Sequence, residues 1–201
     1  MMKNYEYIIA SLPVLESGAR TGSGQAPDVE AILGEIREQL DEGDRKALQT
    51  VLDGFDSEKL TPAFYAGALR SKESFIRDYF RFDLNLRNSK VEYLNSALGR
   101  REGTDIMVPE NAEGYSVGED YDEKENVTAV LKGSDILVRE RGLDDIIWAK
   151  VDELTTLHVF DLDLILGFVV KLKIIDRWLK LDPVAGRELF GKLVQEIRNT
   201  R

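Results

Sequence analysis

The 201-residue sequence contains no cysteine and only one histidine, His158. The chain therefore cannot form disulfides, thiolate nucleophiles or cysteine-based zinc sites, and one histidine cannot supply the two Glu-x-x-His motifs of a di-iron bundle. The longest uncharged apolar run, residues 164–170, is far shorter than the roughly 20 residues that cross a bilayer. The first ten residues lack a signal-peptide pattern. We expect a cytoplasmic protein with no membrane span, no metal and no cofactor.

The chain is acidic, with 27 Lys and Arg against 37 Asp and Glu, a formal net charge of −10 and a pI of about 4.8. Nucleic-acid phosphates and anionic lipid headgroups would repel such a chain. Its densest basic group is interleaved with apolar residues and one acid, and comprises Lys171, Lys173, Arg177 and Lys180 around Asp176. The composition therefore argues against a nucleic-acid ligand and an anionic membrane surface.

Apolar residues recur at helical spacing through most of the chain, and no βαβ alternation or internal repeat interrupts them. Residues 5–10 fit a short strand or a helical turn. Helices are predicted from Asp28, from Asp44 as an N-cap after Gly43, over 57–69, from Ser71 to about Leu98, after Ser134, over 162–181 and from Pro183. The segment 162–181 is apolar on nearly every side, which is typical of a central core helix or an interface. The pattern predicts an all-α multi-helix bundle that forms one domain over residues 1–201.

Two segments break the helical pattern. Residues 17–26 are rich in glycine and small polar residues and predict a flexible loop; they lack the Gly-Lys-Ser/Thr ending of a phosphate-binding loop. Residues 100–133 include a strongly acidic stretch with no sustained period and predict a long surface loop. The acids of this stretch lack the Asp-x-Asp-x-Asp-Gly core of a calcium loop, so a solvated acidic loop is the favoured interpretation.

No pattern of nucleophile and base predicts a catalytic site. His158 and Asp161 lie three residues apart, which suits a structural hydrogen bond or an exposed pair. Asp83 and Arg87 form a favourable i, i+4 pair in a segment dense in aromatic residues, where Asn85 or Asn88 would need hydrogen-bond partners if buried. The charges on the apolar segment must reach water or pair, so they mark either the edge of a core helix or a groove for a partner. This last group comprises Asp161, Asp163, Lys171, Lys173 and Arg177, with Trp178 beside it.

Several stretches together resemble a bacterial, Bacteroidetes-type family of unknown function whose genes tend to lie among those of a V/A-type ATPase. These stretches are YEYIIASLP at 5–13, FDLNLRN at 82–88, LDDIIW at 143–148, DELT at 152–155, FD at 160–161, LGF at 166–168 and KLKIIDRW at 171–178. The resemblance implies an accessory or stalk subunit that binds ATPase subunits and lies in the cytoplasm, peripheral to the inner membrane. It also suggests a counterpart of the C or d socket subunit, which couples the central stalk to the membrane rotor. That socket is a much longer chain of three similar helical domains, so this chain could supply only part of it.

Two other hypotheses remain open from the residues. In the first, the chain is a free-standing helical enzyme or small-molecule binder, with His158, Asp161 and Trp178 near one pocket and polar groups converging there. In the second, it is a structural homodimer that packs through the helix over 162–181 across an interface of roughly 1,000 Å². The ATPase hypothesis instead predicts a non-catalytic chain with an exposed apolar surface.

Overall fold

The computed structural model describes residues 5–16, 27–110 and 121–181, and within those ranges it contains helices and their connections but no strand. The all-α prediction is confirmed. No described helix is long and apolar enough to cross a membrane. The loop predicted over 17–26 and the helix predicted from Pro183 lie outside the described residues. The elements are α1 (Glu6–Ser11), α2 (Val29–Gln39), α3 (Glu42–Asp53), α4 (Pro62–Leu69), α5 (Ser74–Ala97), α6 (Lys124–Leu131), α7 (Ile136–Thr155) and α8 (Leu162–Lys180).

Side-chain caps begin most of these helices, although some lie a few residues from the predicted positions. The predicted cap Asp44 lies inside α3, and Asp41 is the N-cap because its carboxylate accepts from the Asp44 amide at 3.0 Å. The predicted stop Gly43 therefore lies in the first turn of α3, and the connection from α2 is correspondingly shorter. Similarly, α7 is capped by Asp135, whose carboxylate accepts from Val138 N at 3.0 Å, and not by Ser134. In both helices the N-cap is the aspartate whose carboxylate accepts from the backbone amide three residues further on.

The central element is α8, as its all-round apolar sequence predicts. It packs against α2, α3, α5 and α7, and a run of its side chains is fully buried: Ile165, Leu166, Val169, Val170 and Leu172. At Gly167, an added Cβ would lie 2.7 Å from Thr155 Cγ2, so this glycine allows α7 to approach α8 closely. Because α8 is central, the charged residues near its two ends contact neighbouring helices: Asp163 bonds to Ser74 of α5, and Arg177 bonds to Asp144 of α7.

The prediction of a surface loop over 100–133 is wrong for residues 124–131, which form α6. Val127 and Leu131, four residues apart, are buried against Phe82 and Leu86 of α5 and against Leu143 of α7. Packing on α5 stabilises a helix whose apolar pair is too short to stand out beside the acidic residues that precede it. Residues 101–110 do run without a helix, and residues 111–120 lie outside the described part.

The non-helical segment after α5 is fixed by two buried asparagines. Asn88 donates to the carbonyl of Met107 at 2.9 Å and accepts from its amide at 2.9 Å. Asn95 donates to the carbonyl of Thr104 at 2.7 Å. These bonds satisfy backbone groups of Thr104 and Met107 and confirm that Asn88, once buried, has hydrogen-bond partners.

Candidate functional site

The predicted polar residues occupy three separate clusters and do not converge on one pocket. Asp83 and Arg87 lie between α3, α4 and α5, and His158 lies at the beginning of α8 with Asp161 and Asp163. Trp178 lies near the other end of α8. With a rise of 1.5 Å per residue, the 17 residues from Asp161 to Trp178 place them about 25 Å apart. The structure therefore does not bring Trp178 to His158, as the small-molecule hypothesis requires.

The first cluster is a partly buried ion pair on α5, in which the Arg87 side chain is 42% exposed and Asp83 is enclosed. Asp83 is 5% exposed, and its Oδ2 accepts from Tyr65 Oη at 2.6 Å and from Arg87 Nε at 2.7 Å. Arg87 also donates to the carbonyl of Gly54 at 3.4 Å, which ties α5 to the end of α3. Burial, together with the Asp83 carboxylate, raises the pKa of Tyr65 far above its usual value. The predicted i, i+4 pair is confirmed, and its contacts are those of a structural network.

The second cluster surrounds His158 in the connection between α7 and α8. His158 Nδ1 lies 2.6 Å from Asp161 Oδ2, and Nε2 lies 3.5 Å from Asp163 Oδ2. A neutral imidazole carries hydrogen on only one of its ring nitrogens, and both nitrogens of His158 face carboxylates. Both contacts are therefore favourable when both nitrogens carry hydrogen or when Asp163 carries a proton. Burial raises the pKa of Asp163, although a hydrogen bond from Ser74 Oγ at 3.0 Å opposes that effect.

This arrangement does not form a nucleophile and base. Ser74 donates to Asp163, and among the described residues no hydroxyl is bonded to the His158 imidazole. Asp161 also caps α8, because its Oδ1 accepts from Leu164 N at 3.3 Å. The described residues contain no group of three or more His, Asp or Glu side chains arranged to hold a metal. The contacts of this cluster fix the connection between the two helices.

The third cluster joins α7 to the last turns of α8. Asp144 Oδ2, almost fully buried, accepts from the Arg177 guanidinium and from Trp178 Nε1, the latter at 2.5 Å. The guanidinium carbons of Arg141 and Arg177 lie 4.9 and 5.9 Å from the centre of the Trp178 ring. Burial raises the pKa of Asp144, although Arg177 and Trp178 oppose it. The sequence does not predict these contacts of Asp144, because its partners lie more than 30 residues away.

The two predicted lysines of α8 are also paired within the chain. Lys171 bonds to Asp152 of α7, and its ammonium lies 5.0 Å from the centre of the Trp148 ring. Lys173 donates to Asp176 at 2.7 Å. The carboxylates of these pairs lie on α7 or α8 itself, so the contacts are those expected at the edge of a core helix.

Apolar side chains are exposed at both ends of α7. The first-turn surface consists of Ile136, Leu137 and Val138, all mostly exposed. The loop surface consists of Leu157, Val159 and Phe160 in the connection to α8, where Leu157 is 92% exposed. No periodicity predicts these positions, because each lies at or beyond the end of a helix.

Comparison with known proteins identifies one family. A family model described as a protein of unknown function, DUF2764, matches residues 56–200, which is well over half of the chain. No curated protein and no solved structure matches the chain significantly. The predicted resemblance to a family of unknown function is confirmed. The family description names neither a V/A-type ATPase nor the Bacteroidetes. Because a single match covers α4 to α8, the chain belongs to the DUF2764 family.

Proposed function

We propose that this protein is a non-catalytic, protein-binding accessory subunit of a V/A-type rotary ATPase that couples the central stalk to the membrane rotor. The proposal takes its partner from the sequence resemblance. Its physical support is the pair of apolar surfaces at the ends of α7. An ATPase accessory subunit of this kind would lie in the cytoplasm, peripheral to the inner membrane.

The first-turn surface projects from the bundle. Successive residues of an α-helix point about 100° apart, so three exposed neighbours expose most of the circumference of this turn. Ile136, Leu137 and Val138 are such neighbours, and each is mostly in water. The Asp135 cap keeps the turn helical without burying it. Contiguous apolar residues held in water are typical of a surface that binds another protein.

The loop surface lies at the other end of α7 and is held in a defined conformation. The amide of Tyr5 donates to the carbonyl of Phe160 at 2.7 Å, and Phe160 has a φ of 57°. A phenylalanine in this left-handed region is uncommon and must be maintained by its surroundings, here also by the His158 contacts. Leu157 and Val159 are therefore presented on a fixed loop, which lowers the entropy lost on binding.

The two surfaces are separated by the length of α7. Twenty residues at a rise of 1.5 Å per residue give about 30 Å between them. A bundle with an apolar surface at each end can contact two partners at once, as a coupling subunit must. This separation is the observation that carries the proposal beyond general protein binding.

An affinity pull-down from the native host, followed by mass spectrometry, tests the proposal. The tagged wild type should recover ATPase stalk or head subunits. Leu137→Ser and Leu157→Ser should each reduce recovery of a different subunit, whereas Val108→Ser, at an exposed site outside both surfaces, should not. Absence of ATPase subunits at low salt and after gentle crosslinking would refute the proposal. Recovery of this chain alone, with a two-fold assembly in solution, would favour the homodimer instead.

A further inference from the structure

A cleft lies between α5, α7 and the turn that precedes α6. Its α5 wall is one helical face, because Asp78, Arg81, Phe82 and Asn85 lie at positions i, i+3, i+4 and i+7. Its volume is about 290 Å³. Sites for small molecules usually begin at roughly 300 Å³, so the cleft matches the smallest of them and suits a small ligand or one side chain of a larger one.

Asn85 is the buried polar group of this cleft. Asn85 is 7% exposed, and its side-chain amide has no hydrogen-bond partner in the described part of the chain. By contrast, Asn88 and Asn95 on the same helix bond to backbone groups. No fully enclosed polar side-chain atom in the described residues lacks a partner, so the Asn85 amide must reach the open space of the cleft. A buried amide is normally bonded, which makes this one available to a ligand.

The charges around the cleft leave an excess of negative charge. Lys150 is largely buried, and its ammonium is shared by Glu123 at 2.9 Å and Glu153 at 3.1 Å. Asp78 and Asp122 are exposed at the rim, and among the described residues neither forms an ion pair. Arg81 is the second cation of the lining. Four carboxylates of this group therefore face two cations, which leaves a net negative charge to attract a further cation.

The apolar part of the lining consists of aromatic rings. Phe82 is buried beneath the cleft, and Tyr121 forms a wall that is fixed because its hydroxyl lies 2.9 Å from Ser89 Oγ. Aromatic faces bind both alkyl chains and organic cations. A hydrated metal ion would gain nothing from these rings, whereas an ammonium or guanidinium on an alkyl stem would contact them.

We propose that this cleft binds an organic cation, an alkylammonium or alkylguanidinium group. Asn85 Oδ1 accepts a hydrogen bond from the cation, Phe82 and Tyr121 contact its alkyl stem, and Asp78 and Asp122 balance its charge. This chemistry comes from a free amine or from a lysine or arginine side chain of a protein. The site does not involve either apolar surface of α7, so it is independent of the proposed function.

Titration of the full chain with n-butylammonium and n-butylguanidinium, followed by NMR, tests the site. We expect saturable binding of both cations, with shifts of the Asn85 side-chain amide signals, and at least about tenfold weaker binding of the neutral analogue 1-butanol. Added salt should weaken the binding of the cations but not of the alcohol. Absence of saturation by either cation, or equal binding of 1-butanol, would overturn the proposal.

Substitutions separate the roles of the residues. The double variant Asp78→Asn, Asp122→Asn changes only exposed groups and should bind n-butylammonium at least about tenfold more weakly. Asn85→Leu should abolish the binding. The matched control is the double variant Glu102→Gln, Glu125→Gln, which removes the same two charges from exposed residues outside the lining and should bind as the wild type does. Wild-type affinity in the double variant would overturn the proposal even if Asn85→Leu fails to fold.

Two further titrations distinguish the sources of the cation. Tighter binding of spermidine than of n-butylammonium would identify a free amine as the ligand. Tighter binding of a short peptide containing lysine or arginine would identify a protein side chain. Both outcomes require the loss of affinity in the Asp78, Asp122 double variant, and binding that persists in that variant would assign either probe to another surface.

Discussion

The hydrogen bond between Tyr65 and Asp83 provides a direct test of the buried network in α4 and α5. Tyr65→Phe removes only the hydroxyl and keeps the ring, whose centre lies 5.5 Å from that of Phe64 and 6.3 Å from that of Phe80. Hydrogen bonds to charged groups contribute about 1.5–3 kcal/mol. Because Arg87 still pairs with Asp83 in the variant, we expect a loss of about 2 kcal/mol in the free energy of unfolding.

Tyr79→Phe is the matched control. Tyr79 is buried on the same helix as Asp83 and stacks on Phe75 at 5.6 Å, but within the described residues its hydroxyl has no hydrogen-bond partner. The same chemical change should therefore cost under about 0.5 kcal/mol. Urea unfolding followed by circular dichroism measures both values, provided that the m-values agree.

A double-mutant cycle completes this test. Asp83→Asn combined with Tyr65→Phe should give a coupling energy of about 1 kcal/mol, within the range for residues in one network. If Tyr65→Phe costs no more than Tyr79→Phe, or if the two changes are additive, the stabilising role of the hydroxyl is refuted.

Three further predictions concern pH and packing. Burial raises the pKa of Tyr65 above its unfolded value of about 10, so the free energy of unfolding should fall as pH rises above 10. Tyr65→Phe should reduce this pH dependence by up to about 1.4 kcal/mol per pH unit, as measured by urea unfolding. Burial tends to raise the pKa of Asp176, but hydrogen bonds from Lys173 and Lys180 outweigh it and lower the pKa. Asp176→Asn should therefore cost about 1 kcal/mol at pH 7, and this difference from the wild type should shrink as pH falls below the ordinary pKa of 3.8 and through the lowered pKa of the folded state. Gly34→Ala places a Cβ that meets no atom within 4 Å, so it should stabilise α2 by about 1 kcal/mol and raise the melting temperature. Gly167→Ala places a Cβ 2.7 Å from Thr155, so it should cost about 1–3 kcal/mol and lower the melting temperature.

Periodicity predicted the helices that bury a continuous apolar face. The segment that forms α8, which is apolar on nearly every side, is the clearest example, since a central position buries most of its side chains. The helix α6 escaped prediction because only Val127 and Leu131 are buried, and two positions do not define a period. Its helical form depends on α5 and α7, which supply the apolar surface on which it packs.

Local pairs were likewise predicted, whereas long-range pairs were not. The contacts Asp83–Arg87 and His158–Asp161 span four and three residues, so helical geometry and chain proximity indicate them. Asp144 joins Arg177 across 33 residues, and the antiparallel packing of α7 on α8 creates that contact. The Asn85 amide could not be identified for the same reason, because its lack of a partner depends on what three separate elements place around it.

The pairing of charges on α8 bears on where a partner binds. A cation on a core helix must pair, but the sequence does not say whether its carboxylate belongs to the same chain. Lys171, Lys173 and Arg177 each bond to a carboxylate of α7 or α8, so a partner that used them would first have to replace an existing ion pair. An exchange of ion pairs yields little free energy, whereas burial of an exposed leucine yields about 1.5–3 kcal/mol. Leu137 and Leu157 are therefore better placed than the cations of α8 to supply the affinity of an assembly.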